Sequence, residues 1–316
     1  MHSNEIRYFM AVASTGSLSA ASQQLFVAAS AISRHIQRLE TRLGTLLFDR
    51  HARGMVLNDA GHILENYVRR SVADMTLAIA EIEGLTSSRQ TTLRVVCTDG
   101  IAFSLLPTLL AKFRRQHTTV NFVLTVGSAR QIPELIRNSE CDVALKYSLA
   151  PEHGVKVIAS FSAPFMAVVR RDHPLALGEC QVADLSRFPV VLPDQSATVR
   201  QLFDLSCRMN GVFIDPIFTC NHFSTLYAFL LDTPDAVAIC SHFSVLYRTR
   251  QDNLLVKTMN MEPLNQRVLQ IQADANKGET PVLSSFFAFL RDELAQQDVL
   301  FRQEYGLDSP SPQLLP

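Results

Sequence analysis

Residues 17–57, SLSAASQQLFVAASAISRHIQRLETRLGTLLFDRHARGMVL, constrain the fold more than any other stretch of the chain. Small residues come first, at Ala20, Ala21 and Ser22, and let two helices approach closely. A short break follows at 26–28. The next run places Ala31, Ile32, Ile36, Leu39 and Leu43 at helical spacing, with Ser30, Ser33, Arg34, Gln37 and Arg38 on the opposite side. Two short helices joined in this way, the second with a polar and basic face, are what a helix-turn-helix requires. Ser and Gln hydrogen-bond base edges, and Arg bonds bases or phosphates. Gly44 is a good residue to end the second helix. Beyond it, two short apolar runs flank the basic turn at 49–54, which suits a β-wing whose Arg50 and Arg53 reach backbone phosphate.

The bulk properties bound the rest. A chain of 316 residues is expected to form two or three domains, and 47% hydrophobic content is ample for a packed core. The net charge of −1 excludes a nucleic-acid binder that is basic throughout. Charge is local instead: up to Ala60 there are six arginines against four acids, as in a small DNA-binding head on a neutral body. No apolar run reaches the roughly 18 residues that a membrane helix needs. The N-terminus lacks a signal-peptide core, so a cytoplasmic, nucleoid-associated protein is expected. Six cysteines are scattered without a C-x-x-C pair, and in a cytosolic chain they are expected to be reduced and buried. No glycine-rich nucleotide loop, P-loop or G-x-S-x-G motif is present, and no histidine pair stands at metal spacing. The chain does not read as an enzyme, and no metal or cofactor is expected. His51, His117, His153 and His173 fall in expected loops and are read as solvated. His222 and His242 fall near the ends of expected strands, beside the expected cleft, where they either touch a ligand or, the favoured reading, are structural.

The pattern from Ile6 to Gly61 resembles the LysR-type transcriptional regulators. The matching residues are Phe9, Ala11, Gly16, Ser17, Ala20, Ala21, Leu25, Ser33, Ile36, Leu39, Glu40, Leu43, Gly44, Leu47, Phe48, Arg50, Leu57, Ala60 and Gly61. Ala28 and Ala29 depart from the family, which usually has Ser or Thr and then Gln or Pro there. A probable N-cap and one base contact are lost, so operator preference cannot be carried over. The resemblance implies a winged helix-turn-helix in 1–58 and a linker helix with its hinge in 59–90. Ile63, Tyr67, Val68, Val72, Met75 and Ile79 give that helix more apolar residues than a free surface helix carries. In the family such a helix pairs antiparallel with its copy in a second subunit.

From residue 91 the pattern alternates strand and helix, the grammar of a βαβ sheet. Strands are expected at 93–97, 120–126, 143–146, 165–169, 190–192, 217–220, 236–240 and 268–273. Helices are expected at 103–116, 132–138, 198–209, 223–231 and 282–294. The resemblance implies a two-lobed α/β, periplasmic-binding-protein-like domain over 91–296. Lobe I would be 91–162 plus 267–296, lobe II 163–266, and 297–316 a flexible tail.

In open α/β sheets a ligand sits beyond the carboxyl ends of the strands. Thr98, Asp99 and Gly100, Ser128, Lys146, Ser196 and Thr198, and Ser241 hold such positions, and the family places its effector on these loops. Asp99 stands where relatives often have a small hydroxyl residue or Pro. It either accepts from a polar effector or caps its own helix, and Lys146 could neutralise it or bind an effector carboxylate. At 233–241 the family's Gly-x-Gly-Ile-Ala-x-x-Pro pattern is missing, so no relative's effector is carried over.

The resulting expectation is a sequence-specific DNA-binding regulator controlled by a small-molecule effector between two lobes. Its partners would be double-stranded promoter DNA, the effector, further copies of the chain as a homodimer or homotetramer, and RNA polymerase, with no membrane. Two alternatives stand beside it: a cysteine-based redox-sensing regulator of the same family, and a solute-binding protein without DNA contact.

Overall fold

The computed structural model describes residues 3–51, 54–84, 90–249, 251–259 and 267–305, the side chains of several residues in 70–84 excepted. The chain divides into two compact units, Met1–Glu83 and Gly84–Pro316.

The first unit opens with α1 (Asn4–Thr15), α2 (Leu18–Leu25) and α3 (Ala29–Leu43). Gly16 ends α1 in the left-handed region, at φ 65°, and the Ser17 side chain accepts from the Ala20 N–H to start α2. Ala28 precedes α3 with no side-chain cap, as its methyl group dictates. Phe9, Val12, Ala21, Ile32 and Ile36 are fully buried between the three helices. Leu43, expected on the buried stripe, is half-exposed at the end of α3. Strands β1 (Phe48–His51) and β2 (Gly54–Leu57) pair antiparallel and form the wing. Glu40 ties the wing to α3: it is buried, and its Oε1 accepts the Leu47 N–H at 2.9 Å.

Asn58 then caps α4 (Asp59–Gly84) by accepting from the Gly61 N–H at 2.9 Å. A Cβ on Gly61 would lie 2.1 Å from the Leu47 carbonyl oxygen, so the helix and the segment before β1 meet only because this residue is glycine. Along α4 Val68 is buried, whereas Ile63, Tyr67, Val72, Met75 and Ile79 are exposed.

The second unit has two sheets. The chain enters the first with β3 (Thr91–Cys97), α5 (Asp99–Ala102), α6 (Leu105–Gln116), β4 (Val120–Val126), α7 (Ile132–Arg137), β5 (Val143–Ser148) and β6 (Val155–Ser162). It crosses to the second with β7 (Phe165–Arg170), β8 (Val190–Pro193), α8 (Thr198–Met209), β9 (Phe218–Cys220), α9 (Phe223–Leu231), β10 (Val237–Ser241), α10 (His242–Val245) and β11 (Leu254–Lys257). It then returns through β12 (Val268–Asp274) and α11 (Pro281–Tyr305). The sheet orders are β4-β3-β5-β12-β6 and β11-β7-β10-β8-β9. In each, parallel βαβ strands carry an antiparallel edge contributed around a crossover. Strands β6 and β11 were not anticipated from the sequence pattern.

The expected tail from 297 is corrected over its first part, because α11 runs on to Tyr305. Asp298 and Phe301 continue its buried face. Asp298 accepts from Arg302 Nε at 2.8 Å and lies 3.2 Å from His242 Nε2, while Phe301 stacks on the His242 ring. Residues 306–316 lie outside the described part of the chain.

Lobe I holds a second buried charge cluster. Asp142 accepts from the Arg94 guanidinium at 3.0 Å and from Lys277 Nζ at 2.7 Å. Burial pushes the Asp142 carboxyl up, but these hydrogen bonds outweigh it and hold it below its ordinary value of 3.8. The unfolded chain therefore takes up this proton first as pH falls. The stabilisation is present above the ordinary value and is lost as pH drops below it. Asp142→Asn should cost about 3 kcal/mol at neutral pH, because Lys277 keeps its buried charge without a full partner. In acid titrations followed by circular dichroism, the variant should then lose less further stability than the wild type as pH falls below about 4.

Candidate functional site

Two places in the molecule assemble polar groups on a shaped surface, one in each unit. On α3 the apolar side is buried through Ile32, Ile36 and Leu39. The opposite side presents Ser30, Arg34, Gln37 and Arg38 to solvent, with Ser33 half-buried beside them. A helix that buries one face and offers Ser, Gln and Arg on the other has the dimensions and donors to enter a major groove. Arg50 leaves β1 half-exposed, with its guanidinium 3.9 Å from Glu40 Oε2. The acid that holds the wing thus also steers this arginine. Arg53 lies outside the described residues.

In the second unit a cavity of about 330 Å³ is lined from both lobes. Thr98, Asp99 and Gly100 from the β3–α5 turn, Ser128, Ser196, Thr198 and Ser241 all border it, as the strand-end argument anticipates. Several of their hydroxyls are already engaged. Ser128 Oγ bonds Gln131 Oε1 at 3.0 Å, and Ser196 Oγ donates to Asp194 Oδ1 at 2.6 Å. Thr98 Oγ1 is buried without a hydrogen-bond partner among the described residues. Gly100 packs against α10, where a Cβ would come within 2.8 Å of Ser244 Oγ.

Asp99 does not cap its own helix. Its carboxylate reaches across to lobe II and accepts the Phe223 N–H at the first residue of α9. His222 Nδ1 lies 3.5 Å from its other oxygen. The positive end of α9 favours a carboxylate here, so Asp99 clasps one lobe to the other. Phe103 follows it in the chain and packs edge-on against Phe223, 5.4 Å between centroids.

Two assignments are corrected. Lys146 does not border the cavity or meet Asp99. Its Nζ donates to Glu152 Oε1 at 2.5 Å and to the Ala129 carbonyl at 2.9 Å, and its side chain is almost wholly buried. His173 is buried rather than solvated: Nδ1 accepts the Leu175 N–H at 3.0 Å and Nε2 lies 3.1 Å from the Asp235 carbonyl. His242, open between ligand contact and a structural role, takes the structural one: it is buried in the Asp298 cluster, where burial pushes its pKa down.

Arg267 was not singled out by the sequence. It is 2% exposed, yet it borders the cavity. Its Nε donates to Thr198 Oγ1 at 2.9 Å, Nη1 donates to the Ala163 carbonyl at 3.0 Å, and the guanidinium lies 3.6 Å from the Tyr147 ring centre.

The cysteines are free. Burial pushes the Cys97, Cys141 and Cys240 thiols up to about 12 and the Cys207 thiol to about 11, which suppresses the thiolate that peroxide chemistry requires. Among the described residues there is no cluster able to hold a metal ion, and no helix is long and apolar enough to cross a membrane.

Residues 3–62 match the family model of the bacterial regulatory helix-turn-helix protein, lysR family, and residues 86–295 match that of the LysR substrate binding domain. An uncharacterised HTH-type transcriptional regulator of Bacillus subtilis, YybE, is 29% identical over 57% of this chain and 61% of its own length. A probable RuBisCO transcriptional regulator of Cyanidioschyzon merolae is 29% identical over 66% of this chain and 70% of its own length. The chain thus spans roughly two thirds of the curated relatives it matches. Among solved structures, a full-length OxyR variant from Pseudomonas aeruginosa aligns over 100% of both chains at 18% identity, with a TM-score of 0.59. CbnR in complex with its target DNA aligns over 92% of this chain and 99% of its own at 20% identity, with a TM-score of 0.57. At these identities the likeness speaks for the fold alone.

The Asp99 clasp yields a direct expectation. Asp99→Ala frees the Phe223 N–H and should speed amide exchange around 222–225 roughly tenfold, the equivalent of about 1.4 kcal/mol. Hydrogen–deuterium exchange read by mass spectrometry should find the central strands β3 and β5 unchanged.

Proposed function

The chain belongs to the LysR family of helix-turn-helix transcriptional regulators, and from that premise we propose that it binds specific double-stranded promoter DNA under the control of a small molecule held between its two lobes. The observation that carries this reading is the division of α3 into a buried apolar side and an exposed side of Ser30, Arg34, Gln37 and Arg38. Ser33, Arg34 and Gln37 are assigned to base edges and groove walls. Ser30 and Arg38 flank them, and Arg50 and Arg53 are assigned to phosphate. A regulator rather than an enzyme fits the absence of any catalytic motif in the sequence.

The same reading has the chain act as a homodimer, or a homotetramer built from dimers, on DNA in the cytoplasm. The exposed Ile63, Tyr67, Met75 and Ile79 along α4 support it, because an isolated helix gains nothing by keeping such side chains in water. The solved complex of CbnR with its target DNA supports DNA as the partner of the first unit. RNA polymerase is the partner through which a bound regulator of this kind would act. In the cleft, effector binding biases how the two lobes close, and that bias is the signal passed to the DNA-binding unit. The effector residues assigned are Thr98, Gly100, Ser128, Ser196, Thr198 and Ser241, with Asp99 as the closing clasp and Lys146 removed from the set.

Arg34→Ala should weaken binding to an operator fragment by about 1–3 kcal/mol and leave the thermal unfolding temperature unchanged. Arg50→Ala should weaken all DNA sequences alike and reduce the slope of log affinity against log salt by about one. Fluorescence anisotropy at several salt concentrations reads both. Wild-type affinity in Arg34→Ala would remove α3 as the reading helix.

A further inference from the structure

The two lobes are joined where the chain crosses between the sheets, and the crossings are tied to each other. The Ala163 N–H donates to the Arg267 carbonyl at 2.9 Å, and Arg267 Nη1 donates back to the Ala163 carbonyl. The Arg267 side chain then does what crossing backbone alone cannot. It lies against Tyr147, at the end of a lobe I strand, and bonds Thr198, the first residue of α8 in lobe II. One guanidinium therefore touches both lobes and the hinge, at the wall of the cavity.

Among the described residues this charge has no counter-ion. Among the described residues no carboxylate comes within ion-pair distance of Arg267, and its nearest titratable neighbours are Tyr147 and Cys240, both neutral at physiological pH. Two of its five N–H donors are accounted for, by Thr198 and Ala163, and Nη2 has no acceptor among the described residues. A buried cation without a partner is costly, and burial, the dominant influence, brings the Arg267 pKa down to about 10. Every other buried charge described above has been matched: Lys146 with Glu152, and Asp142 with Arg94 and Lys277.

We infer that the small molecule of this cleft carries a carboxylate, and that the carboxylate docks on the open edge of Arg267. The inference rests on reading the cavity as the effector site. A planar guanidinium whose face is covered by Tyr147 offers only its edge, which matches a planar carboxylate. Dianions such as phosphate esters fit less well, because Asp99 and Asp194 border the same cavity and oppose a second negative charge. The volume of about 330 Å³ sets the scale at a small organic acid. Because Arg267 holds both crossings, an anion placed on it acts directly at the hinge. This also gives the Asp99 clasp and the ligand separate roles: Asp99 closes the rim through α9, and the carboxylate engages the floor.

The test uses the full chain and four probes: acetate, benzoate and their neutral counterparts acetamide and benzamide, at constant ionic strength. Thermal unfolding should rise by about 2–4 °C with benzoate, less with acetate, and not at all with either amide. In Arg267→Met the benzoate shift should vanish, and in Arg267→Lys it should be reduced but present. Arg115→Met, on the exposed side of α6, serves as the control and should respond as the wild type does. If Arg267→Met does not fold, the acid-against-amide comparison on the wild type decides alone. Equal shifts with benzoate and benzamide, or an undiminished benzoate shift in Arg267→Met, overturn the carboxylate inference and leave the cleft standing as an effector site. A wild-type chain unmoved by all four probes also overturns it, and DNA binding by α3 is then judged separately by the Arg34 variant.

Discussion

The second unit depends on the pairing of Ala163 with Arg267. The first sheet takes β12 from beyond the second crossing, so lobe I is complete only once the chain has passed twice through the hinge, whereas every strand of lobe II lies between the two crossings. Once the two crossings are held side by side, the carboxyl ends of β3, β5, β8 and β10 face a common space, and the loops after them form its walls. The cleft is a consequence of this connection rather than a separate construction. Its polar groups follow from strand ends and helix starts, and a buried charge with no partner among the described residues, Arg267, sits on the connection itself.

The first unit rests on a different constraint, close approach. Ala21 lets α2 lie against its neighbours, and Gly61 lets α4 lie on the Leu47 carbonyl. Glu40 commits one buried carboxylate oxygen to the backbone N–H of the residue entering the wing, and its other oxygen faces Arg50. The core of aliphatic and aromatic side chains fixes how far α3 projects, and the outward positions of α3 are then free to carry Ser, Gln and Arg. Binding chemistry is possible on that face because none of its residues is needed to hold the fold.

Much of this was legible in the sequence, for a physical reason in each case. A helix-turn-helix advertises itself through a small-residue contact, a break and a 3.6-residue period, all local signals. The cleft loops were legible because a strand end in an α/β sheet is a position along the chain. Partners were not legible. Lys146 lies at a strand end, but Glu152 folds back over it and removes it from the cleft. His242 follows β10, yet its ring turns toward Asp298, which the helix period carries beyond the point where the sequence becomes rich in Gln. Asp99 was recognised as unusual, but its acceptor role toward Phe223 belongs to a residue far along the chain. Arg267 stood alone before an apolar strand, and only the meeting of two crossings buries it. In general the periodic elements could be read, and pairings between distant segments could not.

The central claim is that α3 reads DNA sequence as part of an effector-controlled regulator. The most direct measurement is to sequence the genomic fragments that the purified full chain retains at moderate salt. The account predicts recovery of a few sites sharing an inverted repeat, as two copies of one reading helix require. Uniform recovery of all fragments, falling together as salt rises, would contradict it, since that is the signature of phosphate attraction without base readout.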